Sequence, residues 1–240
     1  MHAIKKNLWT AISIGSLVLI DQTLAQETSA AYTYETRYFC KSGQEPTADE
    51  IIARIEAPIY DQDVDTGELF SWGWFKHISG DTSRRLFIEI GPSPQSLYDG
   101  QIKAGRAFAA NPEDVDRFRQ ICHSHTDHIW RTIEGVLDGT SDTLITVSFS
   151  CDLDAARSAD KVLAEKLAPL LNALQEEGAL EGWAWRQNLI GQGANRSLGL
   201  QGPNYADLLL TWEETERQME AAFKREKTRC APGARELWRR

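Results

Sequence analysis

The sequence predicts an α+β fold in which one unit of about 110 residues occurs twice in tandem. Three observations support this prediction: an ungapped match of the chain with itself at a shift of 111 residues, four cysteines divided two per copy, and strand and helix patterns that recur in the same order. The predicted copies cover residues 31–135 and 141–240.

The self-match depends on residue types that rarely coincide by chance. At the 111-residue shift Trp72 and Trp74 align with Trp183 and Trp185, although Trp makes up only 8 of the 240 residues. A three-residue slip then aligns the cysteine and the tryptophan near the end of each copy. The remaining aligned pairs include Cys40 with Cys151, Arg85 with Arg196, Gly91-Pro92 with Gly202-Pro203, and, after the slip, Cys122 with Cys230 and Trp130 with Trp238.

The N-terminus is typical of a secretory signal peptide. Lys5 and Lys6 are positive, residues 8–20 are apolar and uncharged, and Thr23-Leu24-Ala25 is a small-residue cleavage site. The apolar run is shorter than the roughly 20 residues of a membrane-spanning helix, although a retained anchor is the alternative. We predict that residues 1–25 are removed and that the remaining chain is periplasmic or secreted, without stable membrane insertion.

The charge of the chain argues against two classes of partner. The sequence has 26 Lys and Arg against 35 Asp and Glu, a formal net charge of −9. Nucleic acids and anionic membranes are bound through clustered Lys and Arg, which this acidic chain lacks. We predict no nucleic-acid partner and a small molecule as the possible ligand; the sequence leaves the oligomeric state open, with a monomer favoured.

Each predicted copy opens with a strand and a helix. Residues 34–39 and 144–149 are rich in β-branched and aromatic residues, which suit strands. In the first copy Thr47-Ala48-Asp49-Glu50 resembles a capping box ahead of a helix. In the second copy apolar residues recur at helical spacing over 162–174, before Gly178.

A hairpin and a second helix follow in each copy. Residues 70–74 and 85–88 flank a polar turn and predict two paired strands, which residues 182–185 and 196–200 repeat. A helix is expected after each Gly-Pro pair, and a further helix is expected to carry the last cysteine and tryptophan. The predicted order is therefore β-α-β-β-α with a helical extension.

The alternation in the second strand separates large residues from small ones. Trp72 and Trp74 lie on one side, and Ser71 and Gly73 lie on the other. Because small residues suit close helix packing, we predict that these Trp residues and their second-copy equivalents face the space between the two sheets. The reversed orientation is the alternative.

The element pattern resembles a known superfamily. Residues Tyr34-Glu35-Thr36-Arg37-Tyr38, the Gly73-Trp74 element and the helix starting near Ser96-Leu97 are similar to the dimeric α+β barrel proteins, which include NIPSNAP-type proteins and antibiotic-biosynthesis-type monooxygenases. The resemblance implies two ferredoxin-like sheets that form a pseudo-dimeric barrel within one chain. Such barrels host cofactor-free oxygenases, haem-dependent enzymes and proteins of unknown activity, so the resemblance leaves the reaction and the cofactor unknown.

Four cysteines in an exported chain predict two disulfides. Three connectivities are possible and all respect the internal repeat. We favour Cys40 with Cys122 and Cys151 with Cys230, because each bond then closes one copy.

The string from His123 to His128 is the strongest metal-like pattern. It matches the His-x-His-x-Asp-His ligands of metallo-β-lactamases, but the preceding segment is charged and helix-like, and no His follows His128. A different metal site through His125, His128 and Asp127 is one hypothesis. A solvated polar turn is the other.

No catalytic constellation is recognisable, so the sequence leaves open whether the protein is an enzyme. The predicted function is binding of a small apolar or aromatic ligand in an aromatic cleft between the copies; the alternatives are a cofactor-independent oxygenase or isomerase using His77 or Arg85, and a metal-binding protein. The predicted ligand-binding residues are Trp72, Trp74, His77, Arg85, Trp183, Trp185 and Arg196.

Overall fold

A computed structural model describes residues 31–80, 83–137 and 139–240. We call residues 31–137 the first half and residues 139–240 the second half. The predicted signal peptide at residues 1–25 lies outside the described residues and stays a prediction. Within the described residues no helix is long and apolar enough to cross a membrane.

Both halves alternate strands and helices. The first half contains β1 (Tyr32–Cys40), α1 (Glu45–Ile55), α2 (Ala57–Asp65), β2 (Ser71–Ser79), β3 (Arg85–Gly91), α3 (Pro94–Ala109), α4 (Pro112–Ile121) and β4 (Cys122–Val136). The second half contains β5 (Thr143–Cys151), α5 (Leu153–Val162), a π-helical segment (Leu163–Leu167), α6 (Ala168–Glu176), β6 (Gly182–Ile190), β7 (Arg196–Gly202), α7 (Tyr205–Arg225) and β8 (Cys230–Arg239).

The strands close into one antiparallel barrel in the order β1-β3-β2-β8-β5-β7-β6-β4. Each half contributes four strands, and the halves join through β2 with β8 and β4 with β6. Tyr32 pairs with Gly91 in the first half and Thr143 pairs with Gly202 in the second, so the strand register follows the 111-residue shift. The predicted α+β class is confirmed.

Two local predictions are wrong. The last cysteine and tryptophan of each half lie on strands β4 and β8, whereas the sequence predicted a helix. These segments become strands because the free edges of β1 and β5 bind them: their backbone groups pair along almost the whole length of β1 and β5. The expected capping box is also absent, since α1 begins at Glu45, with Pro46 in its first turn and no side-chain cap.

The favoured disulfide pairing is present. Cys40 bonds Cys122 and Cys151 bonds Cys230. The register explains both bonds, because each pair of cysteines lies directly opposite across two neighbouring antiparallel strands.

The tryptophans of β2 and β6 face the helices, so the prediction that they lie between the sheets is wrong and the reversed orientation holds. Trp72 Nε1 donates to Asp61 of α2 at 2.8 Å, and Trp74 Nε1 donates to Asp49 of α1 at 2.8 Å. Trp183 and Trp185 make the equivalent bonds to Asn172 and Asp160.

The width of the barrel explains this orientation. Eight strands enclose an interior that side chains fill. A Cβ atom added to Gly73 would lie 2.4 Å from the Phe75 ring, so the small residues of β2 must face inward.

Buried ion pairs cross the barrel interior between the halves. Glu35 and Arg186 are fully buried, and Arg186 Nη2 lies 3.2 Å from Glu35 Oε2. Arg37 lies 2.8 Å from Glu35 and 2.7 Å from Glu236 of β8. Burial favours a raised pKa for Glu35, but the guanidinium groups of Arg37 and Arg186 outweigh burial and lower this pKa.

Candidate functional site

A cavity of about 330 Å³ lies in the first half between the barrel and the helices. We call it the first-half cavity. Strands β1 and β4 form its floor, and α3 and α4 form its walls. Its aromatic lining consists of Tyr38, Phe108 and Phe118, and its polar lining includes Glu56, Gln101, Arg119 and His125.

Glu56 is the acidic group that faces this cavity. It is the residue between α1 and α2, and its side chain lines the cavity. Among the described residues its carboxyl group has no hydrogen-bond or ion-pair partner. Burial raises the pKa of Glu56 to about 7. At neutral pH the carboxyl group can therefore either accept or donate a proton.

A second acid, Glu89, lies behind the cavity wall. Gln101 Nε2 donates to Glu89 Oε2 at 2.6 Å and contacts Tyr60 Oη at 3.1 Å. The pKa of Glu89 is raised to about 8. Burial is the main cause, and the nearby carboxyl groups of Glu56 and Asp63 add to it, whereas the hydrogen bond from Gln101 acts in the opposite direction. Glu89 is therefore mostly protonated at neutral pH, in a network that reaches the cavity through Gln101.

A carboxylate–imidazole pair lies at the mouth of the cavity. His125 Nε2 lies 3.2 Å from Asp127 Oδ2, and both side chains are about half exposed. Tyr34 and Thr36 donate to Asp127 Oδ1 at 3.0 and 2.8 Å. These bonds fix the Asp127 carboxylate, which in turn orients the imidazole beside the Tyr38 ring.

The second half carries apolar residues at the positions of this polar network. At the 111-residue shift Glu56 corresponds to Leu167, and Glu89 corresponds to Leu200. These leucines are buried in the apolar core. The other replacements, all buried, are Phe149 for Tyr38, Leu171 for Tyr60 and Trp212 for Gln101. The shared scaffold therefore folds without these acids.

Both halves retain one ion pair between β-strand and helix. Arg85 donates to Asp49 through Nε at 2.5 Å and Nη2 at 2.8 Å, and Trp74 contacts the same carboxylate. Arg196, Asp160 and Trp185 repeat this arrangement. Burial opposes ionisation of Asp49, but the bonds from Arg85 and Trp74 outweigh burial and lower its pKa. The indole and guanidinium donors predicted to bind a ligand thus contact these side chains instead.

His77 lies in the barrel interior, away from the first-half cavity. Its ring is half-buried and lies 5.2 Å from the ring of Trp238. The strand alternation of β2 puts His77 on the side of Ser71 and Gly73, opposite to Trp72 and Trp74.

The structure does not bring His125 and His128 together. His128 faces the barrel interior, where its ring stacks on Trp130 at 5.4 Å and its Nε2 lies 3.2 Å from Gln192 O. His125 and Asp127 lie on the outer side of β4. Among the described residues no group of three or more His, Cys, Asp or Glu side chains could hold a metal ion.

Sequence reasoning missed Tyr38, Glu56, Glu89 and Gln101. Tyr38 lies in the segment that carries the superfamily resemblance, where it has no assigned role; the other three belong to no motif, and all four lie on different elements or junctions. The self-alignment could have revealed them, because at each of these positions a polar residue in the first copy aligns with an apolar residue in the second.

Comparison with known proteins identifies the fold. No family model matches the sequence, and no curated protein matches it. An anthrone oxidase-like protein aligns with 89% of this chain and 92% of its own, at a TM-score of 0.53 and 14% identity. A protein proposed to be a monooxygenase, from Fusobacterium nucleatum subsp. nucleatum, aligns with 88% of this chain and 93% of its own, at a TM-score of 0.60 and 9% identity. The chain has the dimeric α+β barrel fold.

A further dimeric α+β barrel, proposed to be a chlorite dismutase, aligns with 88% of this chain and 94% of its own, at a TM-score of 0.57 and 12% identity. Identities this low establish the shared fold alone. The fold that the resemblance implied is therefore confirmed, whereas the likeness to NIPSNAP-type proteins stays a prediction.

Proposed function

We propose that the first-half cavity binds a small aromatic molecule and that Glu56 transfers a proton to and from it. The observation that carries this proposal is the placement of Glu56 in the first-half cavity without a hydrogen-bond partner among the described residues, at a position where the second half has the core residue Leu167. Buried acids with raised pKa values concentrate at functional sites, because burying them lowers stability.

The reaction class that fits is cofactor-independent oxidation of an enolisable aromatic ketone. Anthrone is a suitable probe, since an anthrone oxidase-like protein shares the fold. The Glu56 carboxylate takes a proton from the methylene carbon and leaves an enolate. Molecular oxygen then adds to that carbon, one oxygen atom becomes the new carbonyl group, and the other leaves as water. Anthrone and O₂ thus give anthraquinone and water.

The other residues around the first-half cavity would bind the substrate and exchange protons with the solvent. Tyr38, Phe108 and Phe118 hold the aromatic rings. Gln101, fixed by Glu89 and Tyr60, shapes the polar end of the cavity. The His125–Asp127 pair lies at the mouth, where it can exchange protons between Glu56 and the solvent.

We expect Glu56→Gln to lower the rate of anthrone-dependent oxygen uptake by about 10²–10⁴-fold, the usual contribution of a positioned base. Oxygen-electrode assays at pH 7, corrected for uncatalysed oxidation, measure this rate. His77→Ala is the control, because His77 lies in the barrel interior, and it should retain the wild-type rate. If His77→Ala lowers the rate of oxygen uptake as much as Glu56→Gln does, the reaction takes place in the barrel interior. An unchanged rate in Glu56→Gln would contradict the role of Glu56.

Ligand binding without turnover is the second candidate, and the aromatic lining of the cavity favours it. Quenching of protein fluorescence by anthrone, without oxygen uptake, would support this candidate. In either case the ligand would lie between the barrel and the helices of one half, and not in the cleft between copies that the sequence suggested.

Haem does not fit the residues present. A fold relative from Thermus thermophilus is a haem-binding protein, and haem iron takes an axial ligand from His, Cys, Met or Tyr. The described second half has no His, and both of its cysteines form a disulfide. In the first half burial raises the pKa of Tyr38 well above its usual value, which disfavours a phenolate ligand, and the His125 side chain is about half exposed at the cavity mouth and not buried inside the cavity. Met219 of the second half lies in a separate, smaller cavity of about 200 Å³. The proposed reaction does not involve haem.

We also infer that the chain is an exported tandem duplication of a ferredoxin-like unit, with copies at residues 31–135 and 141–240, and that it is a monomer. The strand register at the 111-residue shift supports the duplication, and two disulfides are consistent with an extracellular location.

A further inference from the structure

The second half contains a cavity at the position equivalent to the first-half cavity. It has a volume of about 200 Å³ and lies between α7 and strands β5 and β8. We call it the second-half cavity. Trp212, Met219 and Phe149 line it, and they align at the 111-residue shift with Gln101, Phe108 and Tyr38 of the first-half cavity.

The lining of the second-half cavity is mainly apolar. Phe149, Trp212, Met219 and Phe223 are at least nine-tenths buried. The polar groups of the rim bind one another: Trp212 Nε1 donates to Glu216 Oε2 at 3.1 Å, and Arg235 Nη1 lies 3.5 Å from the same carboxylate. The guanidinium group of Arg235 also lies over the Trp212 ring, 5.9 Å from its centre.

The surroundings of the two cavities differ on one side. In the first half α4 follows α3 and places Val115 and Phe118 on the cavity. In the second half α7 continues to Arg225, and β8 begins at Cys230. The described second half has no helix equivalent to α4; there Phe223 of α7 packs edge-on against Phe149, as Phe118 of α4 packs against Tyr38 in the first half.

We propose that the second-half cavity binds a neutral aromatic molecule of one or two fused rings. Cavities of about 150 Å³ with an apolar lining bind benzene, so about 200 Å³ suits a slightly larger ring system. A charged ligand is disfavoured because the apolar wall offers it no partner. This site lacks the acids of the first-half cavity, and it is therefore a binding site with no part in the proton transfer proposed for Glu56.

Isothermal titration calorimetry with indole tests this site, using the complete mature chain. The second-half cavity should bind indole with an affinity that changes less than twofold between pH 6 and pH 8, because indole is neutral over this range and most of the lining is apolar, with Glu216 and Glu220 as its acidic members. Met219→Trp should weaken binding by tenfold or more, because the larger ring fills the cavity. Met219→Leu conserves the volume and should retain binding.

Ala104→Trp, which fills the first-half cavity, is the matched control. It removes any indole bound in the first-half cavity and should leave the binding in the second-half cavity unchanged while reducing anthrone oxidation, so failure of this inference and failure of the proposed function can be told apart. Thermal unfolding of each variant verifies that it folds. Loss of indole binding in Ala104→Trp with retention in a folded Met219→Trp would overturn the proposal, as would a wild type that binds no indole.

Discussion

Replacing Glu35 with glutamine is expected to lower the free energy of unfolding by about 3–5 kcal/mol, the usual effect of leaving a buried charge without its partner. Arg186 is fully buried, and Glu35 is the carboxylate that lies beside it. Among the described residues the Arg186 guanidinium group also donates to Ser197 Oγ at 2.9 Å and lies over the ring of Trp130. Neither neutralises the guanidinium group. Urea unfolding at pH 7 with the disulfides intact measures the change.

The double variant Glu35→Gln/Arg186→Met supplies the control. It removes both charges, so it should be more stable than Glu35→Gln alone. If Glu35→Gln costs less than about 1 kcal/mol, comparable to an exposed pair, the ion pairs do not hold the two halves together as described.

Glu89 should make the protein less stable as the pH rises. Its pKa is about 8 in the folded chain, against 4.5 for an ordinary glutamate, so the folded state holds a proton that the unfolded state releases. This loss of stability is absent below pH 4.5, grows between pH 4.5 and 8, and then stays constant. Between pH 5 and pH 8 we expect Glu89 to account for a loss of about 3–4 kcal/mol.

Urea unfolding of wild type and Glu89→Gln at pH 5 and pH 8 isolates this loss, because the remaining ionisable groups are common to both proteins. A second variant, Glu89→Leu, introduces the residue found at the equivalent position, Leu200, and should also flatten the pH dependence. The same pH dependence in all three proteins would show that Glu89 ionises normally in the folded state.

The repeat made most of the fold predictable. Most strand positions and both hairpins follow from local patterns and from the 111-residue shift, which the strand register reproduces. The repeat leaves the disulfide pairing open, and the observed pairing is favoured because each bond closes one copy. The final strands could not be recognised in the same way. The His123–His128 segment is polar and lacks the apolar alternation of a buried strand; it becomes a strand through pairing with distant β1.

The orientation of the tryptophans also depends on distant parts of the chain. Small residues beside Trp72 and Trp74 suit helix packing and the interior of a narrow barrel equally well. The packing of Phe75, on the same side of β2 as Gly73, decides between them, because Phe75 is buried in the barrel with Leu144, Ala184 and Trp238 of the second half.

The candidate site was only partly accessible from the sequence. Comparing the copies predicts that function lies in the features of one copy alone, and Glu56 opposite Leu167 is such a feature. His77 and the His123–His128 segment are also present in one copy alone, and histidine is recognisable in a sequence as a residue that titrates near neutral pH. A glutamate acquires the same property only through burial, which depends on the packing of α1, α2 and the barrel around it.

The most direct test of the central claim is an NMR titration of the Glu56 side-chain carboxyl carbon, in protein carrying ¹³C-labelled glutamate. Comparison with Glu56→Gln assigns the signal. We predict a midpoint near pH 7, as expected for a carboxyl group prepared for proton transfer in a buried cavity. A midpoint near pH 4.5, the value of an ordinary glutamate, would contradict the proposed role of the first-half cavity.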